Sequence, residues 1–179
     1  REYLSIEELN VLVKTPCNDI LLKRAALFSA LTGLRFSDIQ KMTWSELEYI
    51  NEQGYFINFD QKKTNGVEVL PISEQAYSIT NGKENPKDMQ QDKIVFEGLK
   101  YSAYHNKHLF QWIGAEGITK NITFHNFRHT FATLQLFKGT DIYTVSKMLG
   151  HKDLKTTQIY AKIMDEAKRK AADRIKLDM

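Results

Sequence analysis

The stretch from Thr123 to Lys162 reads TFHNFRHTFATLQLFKGTDIYTVSKMLGHKDLKTTQIYAK, and its spacing of apolar residues decides the fold. Phe124, Phe127, Phe131 and Leu134 fall within about 80° of one another at 100° per residue, which predicts a helix over 125–137 with this stripe in the core. His125, Arg128 and Ala132 fall on a neighbouring face. An imidazole and a guanidinium therefore project together from the edge of the core, and small Ala132 leaves room beside them. After Gly139, Asp141 caps a helix to about 149 with Ile142, Val145 and Leu149 as its stripe. A Leu149-Gly150-His151 corner follows, and Tyr160, expected on a short helix, comes nine residues after His151. One cation, two imidazoles and a phenol in one pocket suit attack on a phosphodiester. Each also has an ordinary reading: a solvated Arg, a His bonded to a loop, a core Tyr. A cation at the edge of a core needs a partner, and an anionic ligand supplies one.

Working outward, Ser5 with Glu8 has capping-box form and predicts a helix to about Val13, ended by Pro16. Asn18-Asp19 starts a second helix, Ile20 to about Leu31, whose apolar positions imply burial. Gly33 suits its left-handed end. Arg35 follows between Leu34 and Phe36, and Ser37-Asp38 opens a short helix to about Met42. Asp38 either closes a structural ion pair with Arg35 or orients it so that its fork holds a phosphate oxygen, and spacing leaves both open. From Glu48 the period changes to two: Tyr55, Ile57 and Phe59 alternate with polar neighbours, and Val67 to Ile72 returns after an Asn65-Gly66 turn. Lys62 and Lys63 stand at the tip of this hairpin. Alternation puts them on opposite faces, so at most one donates a proton to a ligand held by the helices.

Ser73-Glu74 starts a helix to about Thr80, residues 81–93 read as a polar surface loop, and a further helix runs from about Ser102 to Ala115. A basic helix from Asp165 to about Leu177, with Ala167, Ala171 and Ile175 on one side, closes the chain. The class is mainly α with a small antiparallel sheet (α+β).

At 179 residues, the chain buries roughly 70% of its extended surface and needs no staple. Cys17 stands alone, so no internal disulfide forms. No apolar run approaches the roughly 18–20 residues of a membrane span, and no signal-peptide pattern opens the chain, so a cytoplasmic protein with no membrane partner is expected. The net charge of +3 is unevenly spread. Residues 1–118 carry 13 Lys and Arg against 16 Asp and Glu, a net of −3, and residues 119–179 carry 12 against 6, a net of +6. That asymmetry suits a polyanionic partner at the C-terminal part.

Together, Thr32-Gly33-Leu34-Arg35-Phe36-Ser37-Asp38, the hairpin Lys63-Thr64, His125-Asn126-Phe127-Arg128-His129-Thr130-Phe131-Ala132, Leu149-Gly150-His151 and Thr156-Thr157-Gln158-Ile159-Tyr160 resemble the tyrosine recombinase (phage integrase) family. They stand in that family's order over essentially the whole chain, with wording similar to mobile-element integrases and Xer-type recombinases. The resemblance implies one catalytic domain over 1–179, with the family's N-terminal DNA-clamping domain outside this sequence. It implies a site of Arg35, Lys63, His125, Arg128, His151 and Tyr160, with Asp38 as the acidic residue after the first arginine. Lys63 is preferred to Lys62 because its Lys-Thr pair matches the family's hairpin lysine. Asn126-Phe127 departs from members that have leucine before the arginine, but Phe127 belongs to the core stripe.

The implied activity is metal-independent and cofactor-free cleavage and rejoining of double-stranded DNA through a 3′-phosphotyrosyl intermediate, by a homotetramer on paired sites. Tyr160 attacks, Arg35 and Arg128 clamp the phosphate, Lys63 protonates the leaving 5′-oxygen, and His125 is a candidate proton acceptor. Lys62, Lys120, Lys152 and Lys155 are expected to meet flanking phosphates. A type IB topoisomerase-like enzyme shares this chemistry without pairing of sites, and a DNA-binding module with a decayed site shares only the fold. A zinc hydrolase built on His125 and His129 fails because Asn126 stands where its base would be Glu.

Overall fold

The structure, a computed structural model, describes residues 2–61, 66–151 and 159–179. Its elements are α1 (Ile6–Lys14), α2 (Ile20–Thr32), α3 (Phe36–Lys41), β1 (Leu47–Ile50), β2 (Gly54–Gln61), β3 (Gly66–Ile72), α4 (Glu74–Ile79), α5 (Ala103–Gly114), α6 (Phe124–Phe137), α7 (Ile142–Met148) and α8 (Ala161–Ala172). The three strands form one antiparallel sheet in the order β1-β2-β3, with Ile57 paired to Leu47 on one side and to Leu70 on the other. A mainly helical chain with a small antiparallel sheet is therefore what the residues build. The Asn65 turn, Lys62 and Lys63 lie outside the described residues. No described helix is long and apolar enough to cross a membrane.

Local chemistry sets the ends of these elements. Ser5 and Glu8 cap α1 reciprocally, the Glu8 amide donating to Ser5 Oγ at 3.1 Å and the Ser5 amide to Glu8 Oε2 at 2.8 Å. The Asp19 carboxylate accepts from the Leu22 amide at 3.0 Å at the start of α2, and Gly33 ends that helix at φ 78°.

The last carbonyls of a helix have no partner within it. Here donors from other helices supply several. Trp112 Nε1 of α5 bonds the Leu12 and Thr15 carbonyls at the end of α1, both at 3.2 Å. Arg24 of α2 bonds the Ile79 and Thr80 carbonyls at the end of α4, both at 2.9 Å. Arg128 of α6 does the same for α2 and α7, as described below.

Helix α6 is the spine. Phe124 and Phe127 belong to the large core built on α1, α2, the sheet and α5. Phe131, Ala132 and Leu136 belong to a second cluster with Val145, Leu149 and Tyr160. Burial therefore runs most of the way round the helix: Arg128, His129, Thr130 and Thr133 are inside as well.

Three boundaries, both ends of the terminal helix and the start of α3, differ from expectation. The terminal helix starts at Ala161 rather than Asp165 and stops at Ala172 rather than Leu177. Ile175 lies beyond it at 81% exposure, so it shares no helical stripe with Ala167 and Ala171. Past Ala172 the sequence is Asp173-Arg174-Ile175-Lys176-Leu177-Asp178-Met179. All of it is exposed, so no burial supports another turn. Helix α3 begins at Phe36, one residue before Ser37, with Arg35 as its N-cap.

One buried group ties stability to pH. His105 of α5 is 2% exposed and packs edge-on against Phe36 at 5.2 Å, with Phe124 at 5.8 Å. Burial pushes its imidazole below the ordinary value, against a smaller opposing pull from Asp19. Because the folded state favours neutral His105, its contribution is fully present above the unfolded value of about 6.5 and is lost as pH falls through the lower folded value. The urea midpoint of the wild type is expected to drop between about pH 7.5 and pH 5. His105→Phe keeps the ring packing without the titration, and its midpoint should fall less over that range. Equal falls would remove His105 from the account.

Candidate functional site

Arg128 is the junction of the site. It is 6% exposed, yet no carboxylate pairs with it among the described residues. Its Nη1 donates to the Gly33 carbonyl at 2.6 Å, and its Nη2 donates to the Leu149 carbonyl at 2.8 Å. These are the C-terminal ends of α2 and α7, where the helix dipoles place partial negative charge. Charge-assisted bonds to two such carbonyls hold a buried cation without neutralising it. Burial first, and the nearby Arg35 charge second, bring the guanidinium down to about 10, so it stays charged at neutral pH.

His151 Nε2 lies 3.3 Å from Arg128 Nη2. Burial, reinforced by Arg128 and Arg35, holds His151 below the ordinary imidazole range. A neutral ring with Nε2 accepting from Arg128 follows, leaving the proton on Nδ1. Arg35 is exposed at the start of α3, and among the described residues no hydrogen bond or ion pair holds its guanidinium. The ion pair with Asp38 considered from spacing does not form. Asp38 sits 3.8 Å from Lys41, one turn along α3.

Arg35 and Arg128 share the wall of a cleft of about 950 Å³, together with Asp38, Lys41, Lys147 and the hairpin residues Phe59 and Glu68. Two of its cations, Lys41 and Lys147, were not singled out from the sequence. Each lies in the last turn of a short helix, α3 and α7, where a lysine reads first as a dipole partner. His125 is exposed in the first turn of α6, so it does not share the burial of Arg128. Lys120, expected to meet a phosphate, has its ammonium on Glu8 at 2.7 Å and on the Tyr3 carbonyl at 3.0 Å. It ties the chain's start to the segment before α6. Lys62, Lys63, Lys152 and Lys155 lie outside the described residues.

Tyr160 is 5% exposed at the N-cap position of α8. Its hydroxyl lies 2.7 Å from His129 Nδ1, with the two rings 4.9 Å apart. Sequence reasoning weighed His129 only as a zinc ligand. The missed signal is a second stripe on α6, in which His129, Ala132, Thr133 and Leu136 follow the i, i+3, i+4, i+7 pattern. A histidine in such a stripe needs a buried polar partner.

Similar proteins bear on this geometry. The model of the phage integrase family matches residues 2–167. The chain is 32% identical over 176 residues to tyrosine recombinase XerD of Lacticaseibacillus casei, covering 91% of this chain and 59% of that protein. It is 29% identical over 161 residues to tyrosine recombinase XerA of Pyrococcus horikoshii, covering 81% of this chain and 51% of that one. The chain thus spans a little over half the length of the curated relatives it matches. Among solved structures, a XerA recombinase superposes with TM-score 0.72 at 23% identity over 99% of this chain and 65% of that one. The catalytic domain of bacteriophage HP1 integrase superposes with TM-score 0.63 at 20% identity over 96% of this chain and 94% of that one. XerH bound to its difH substrate in a pre-cleavage complex superposes with TM-score 0.67 at 20% identity, over 90% of this chain and 50% of that one.

Proposed function

Because the chain belongs to the phage integrase family, and its relatives include tyrosine recombinases, we propose that it is the strand-cleaving and rejoining domain of a site-specific DNA recombinase. The observation that carries this reading is Arg128. It is a buried, charged guanidinium held by two helix ends, beside neutral His151 and sharing a cleft with Arg35.

A phosphodiester carries one negative charge and gains more on its equatorial oxygens as a nucleophile adds. The Arg128 guanidinium, fixed before the substrate arrives, stabilises that gain without reorganising, and exposed Arg35 adds a second cation from the same cleft. Tyr160 is the nucleophile. A phenol with a reference pKa near 10 costs on the order of 4 kcal/mol to ionise at pH 7, so it requires a cationic site and a proton acceptor. Attack joins its oxygen to phosphorus and breaks the bond to the 5′-oxygen, which takes a proton from Lys63. The 3′-phosphotyrosyl bond stores the energy of the phosphodiester, so a 5′-hydroxyl from another strand reseals it without ATP. Neutral His151 donates to a phosphate oxygen through Nδ1, and exposed His125 meets the same group from the start of α6.

The substrate in this reading is double-stranded DNA, and it is supported by two structural neighbours, XerH solved with its difH substrate and the Tn1549 transposon integrase solved with a circular intermediate DNA. Exchange between two duplexes requires four strands to be cut, hence four copies of Tyr160 and a homotetramer on paired sites. The test is a denaturant-resistant adduct on nicked duplexes, from which the cleaved strand cannot be resealed. Peptide mapping should place the modification on Tyr160. An adduct on another residue, or none over a library of nicked duplexes of randomised sequence, would remove the reading.

A further inference from the structure

The reaction needs a group to take the phenol proton, and the geometry points to His129: we propose that it is a catalytic residue, the proton acceptor for Tyr160. The inference rests on Tyr160 being the nucleophile. Its own basis is separate. His129 Nδ1 is 2.7 Å from the Tyr160 hydroxyl, and the two side chains are 6% and 5% exposed. A buried phenol O–H needs an acceptor, and a neutral imidazole offers one nitrogen as acceptor and the other as donor. With the proton on Nε2, Nδ1 receives the phenol's hydrogen bond. An imidazole, ordinarily near 6.5, is the one side chain poised to take a proton reversibly at neutral pH. His125, the candidate named from the sequence, is exposed at the other end of that helical turn.

The surroundings favour the transfer. His129 directly follows Arg128, so the peptide that fixes the phosphate clamp also fixes the base. Tyr160 lies close enough to Arg128 for a phenolate there to be felt by the guanidinium. A phenolate so formed has imidazolium in hydrogen-bond contact and feels the Arg128 charge, and with both rings almost wholly buried such attraction is stronger than in water. In the forward step the Tyr160 O–H bond breaks and the Nδ1–H bond forms. The oxygen's lone pair attacks phosphorus, the bond to the 5′-oxygen breaks, and that oxygen takes the proton from Lys63. Resealing reverses each transfer: imidazolium His129 returns its proton to the departing phenolate. One residue serves as base for cleavage and acid for rejoining, as microscopic reversibility requires.

His129→Gln tests this, because its amide oxygen can accept the hydrogen bond but cannot take the proton. Single-turnover adduct formation on nicked duplexes is expected to fall about 100-fold, while duplex affinity and melting temperature stay near wild type. The rate of the wild type should fall towards acid pH through the imidazole range. That limb should vanish in His129→Gln and persist in His125→Gln, however much the latter slows. Should His129→Gln fail to fold, the wild-type chain still decides. Nitrogen-15 spectra of its histidines are expected to show Nδ1 of His129 unprotonated at neutral pH. A protonated Nδ1, a wild-type rate and acid limb in His129→Gln, or loss of the limb in His125→Gln would each overturn the inference while leaving the recombinase reading intact. A wild type that forms no adduct would overturn both.

Discussion

Arg128→Lys is expected to slow adduct formation by about 100- to 1,000-fold and to lower the melting temperature as well. Lysine keeps the charge but not the fork. The guanidinium sends Nη1 to the Gly33 carbonyl and Nη2 to the Leu149 carbonyl, and it still faces the cleft with Arg35. A lysine ammonium on a flexible stem cannot span both carbonyls and clamp a phosphate in the same geometry. At least one helix end loses a charge-assisted bond, at a cost of roughly 1.5–3 kcal/mol before relaxation. Arg35→Lys provides the contrast. Arg35 is exposed and no described group holds it, so its replacement should slow cleavage and leave the melting temperature nearly unchanged. Measuring both variants by adduct kinetics and by thermal melts separates a clamp that is also a structural strut from one that is not. An Arg128→Lys protein that melts like the wild type would show that the two carbonyl bonds contribute little.

That dual role explains which parts of the molecule were legible in the sequence. The ends of α1 and α2 were, because Ser5, Glu8, Asp19 and Gly33 act through local geometry alone. The sheet was, because Tyr55, Ile57 and Phe59 keep a strict period of two. The proposed phosphate clamp was half legible. Residue types and order place Arg35 and Arg128 in one family pattern, but nothing local says that Arg128 leans on Gly33 and Leu149, since those contacts span 95 and 21 residues. The pairing of Asp38 with Lys41 rather than Arg35 turns on side-chain direction at a helix start, which spacing does not resolve.

Reading α6 as a helix with one apolar stripe hid His129. A helix buried between two clusters has two stripes, and the second carried the partner of Tyr160. Tertiary burial, not propensity, decided that face. The ending of α8 at Ala172 has the converse cause: the residues beyond it have helical composition but nothing to pack against.

Gly33→Ala is expected to be the most damaging small substitution for stability, costing about 2–5 kcal/mol as the sum of left-handed strain and overpacking. Gly33 sits at φ 78°, which an alanine adopts only with strain. A β-carbon there would also stand 2.6 Å from Cδ1 of Phe131 and 2.9 Å from Cδ2 of Leu149. Neither ring nor leucine can retreat cheaply, because both are buried in the second cluster. Gly150 isolates the strain. It has φ 70° but nothing within 4 Å of an added β-carbon, so Gly150→Ala should cost only about 1–2 kcal/mol.

For a domain of this size each kcal/mol moves the melting temperature by roughly 2–4 °C, so the two variants should differ clearly in a thermal scan. Gly33→Ala should also slow adduct formation at temperatures where it remains folded, because its carbonyl is the anchor for Arg128 Nη1. Displacing that carbonyl by a few tenths of an ångström moves the clamp without touching its charge. If Gly33→Ala melts with Gly150→Ala and cleaves like the wild type, the tight meeting of α2, α6 and α7 is not what positions the site.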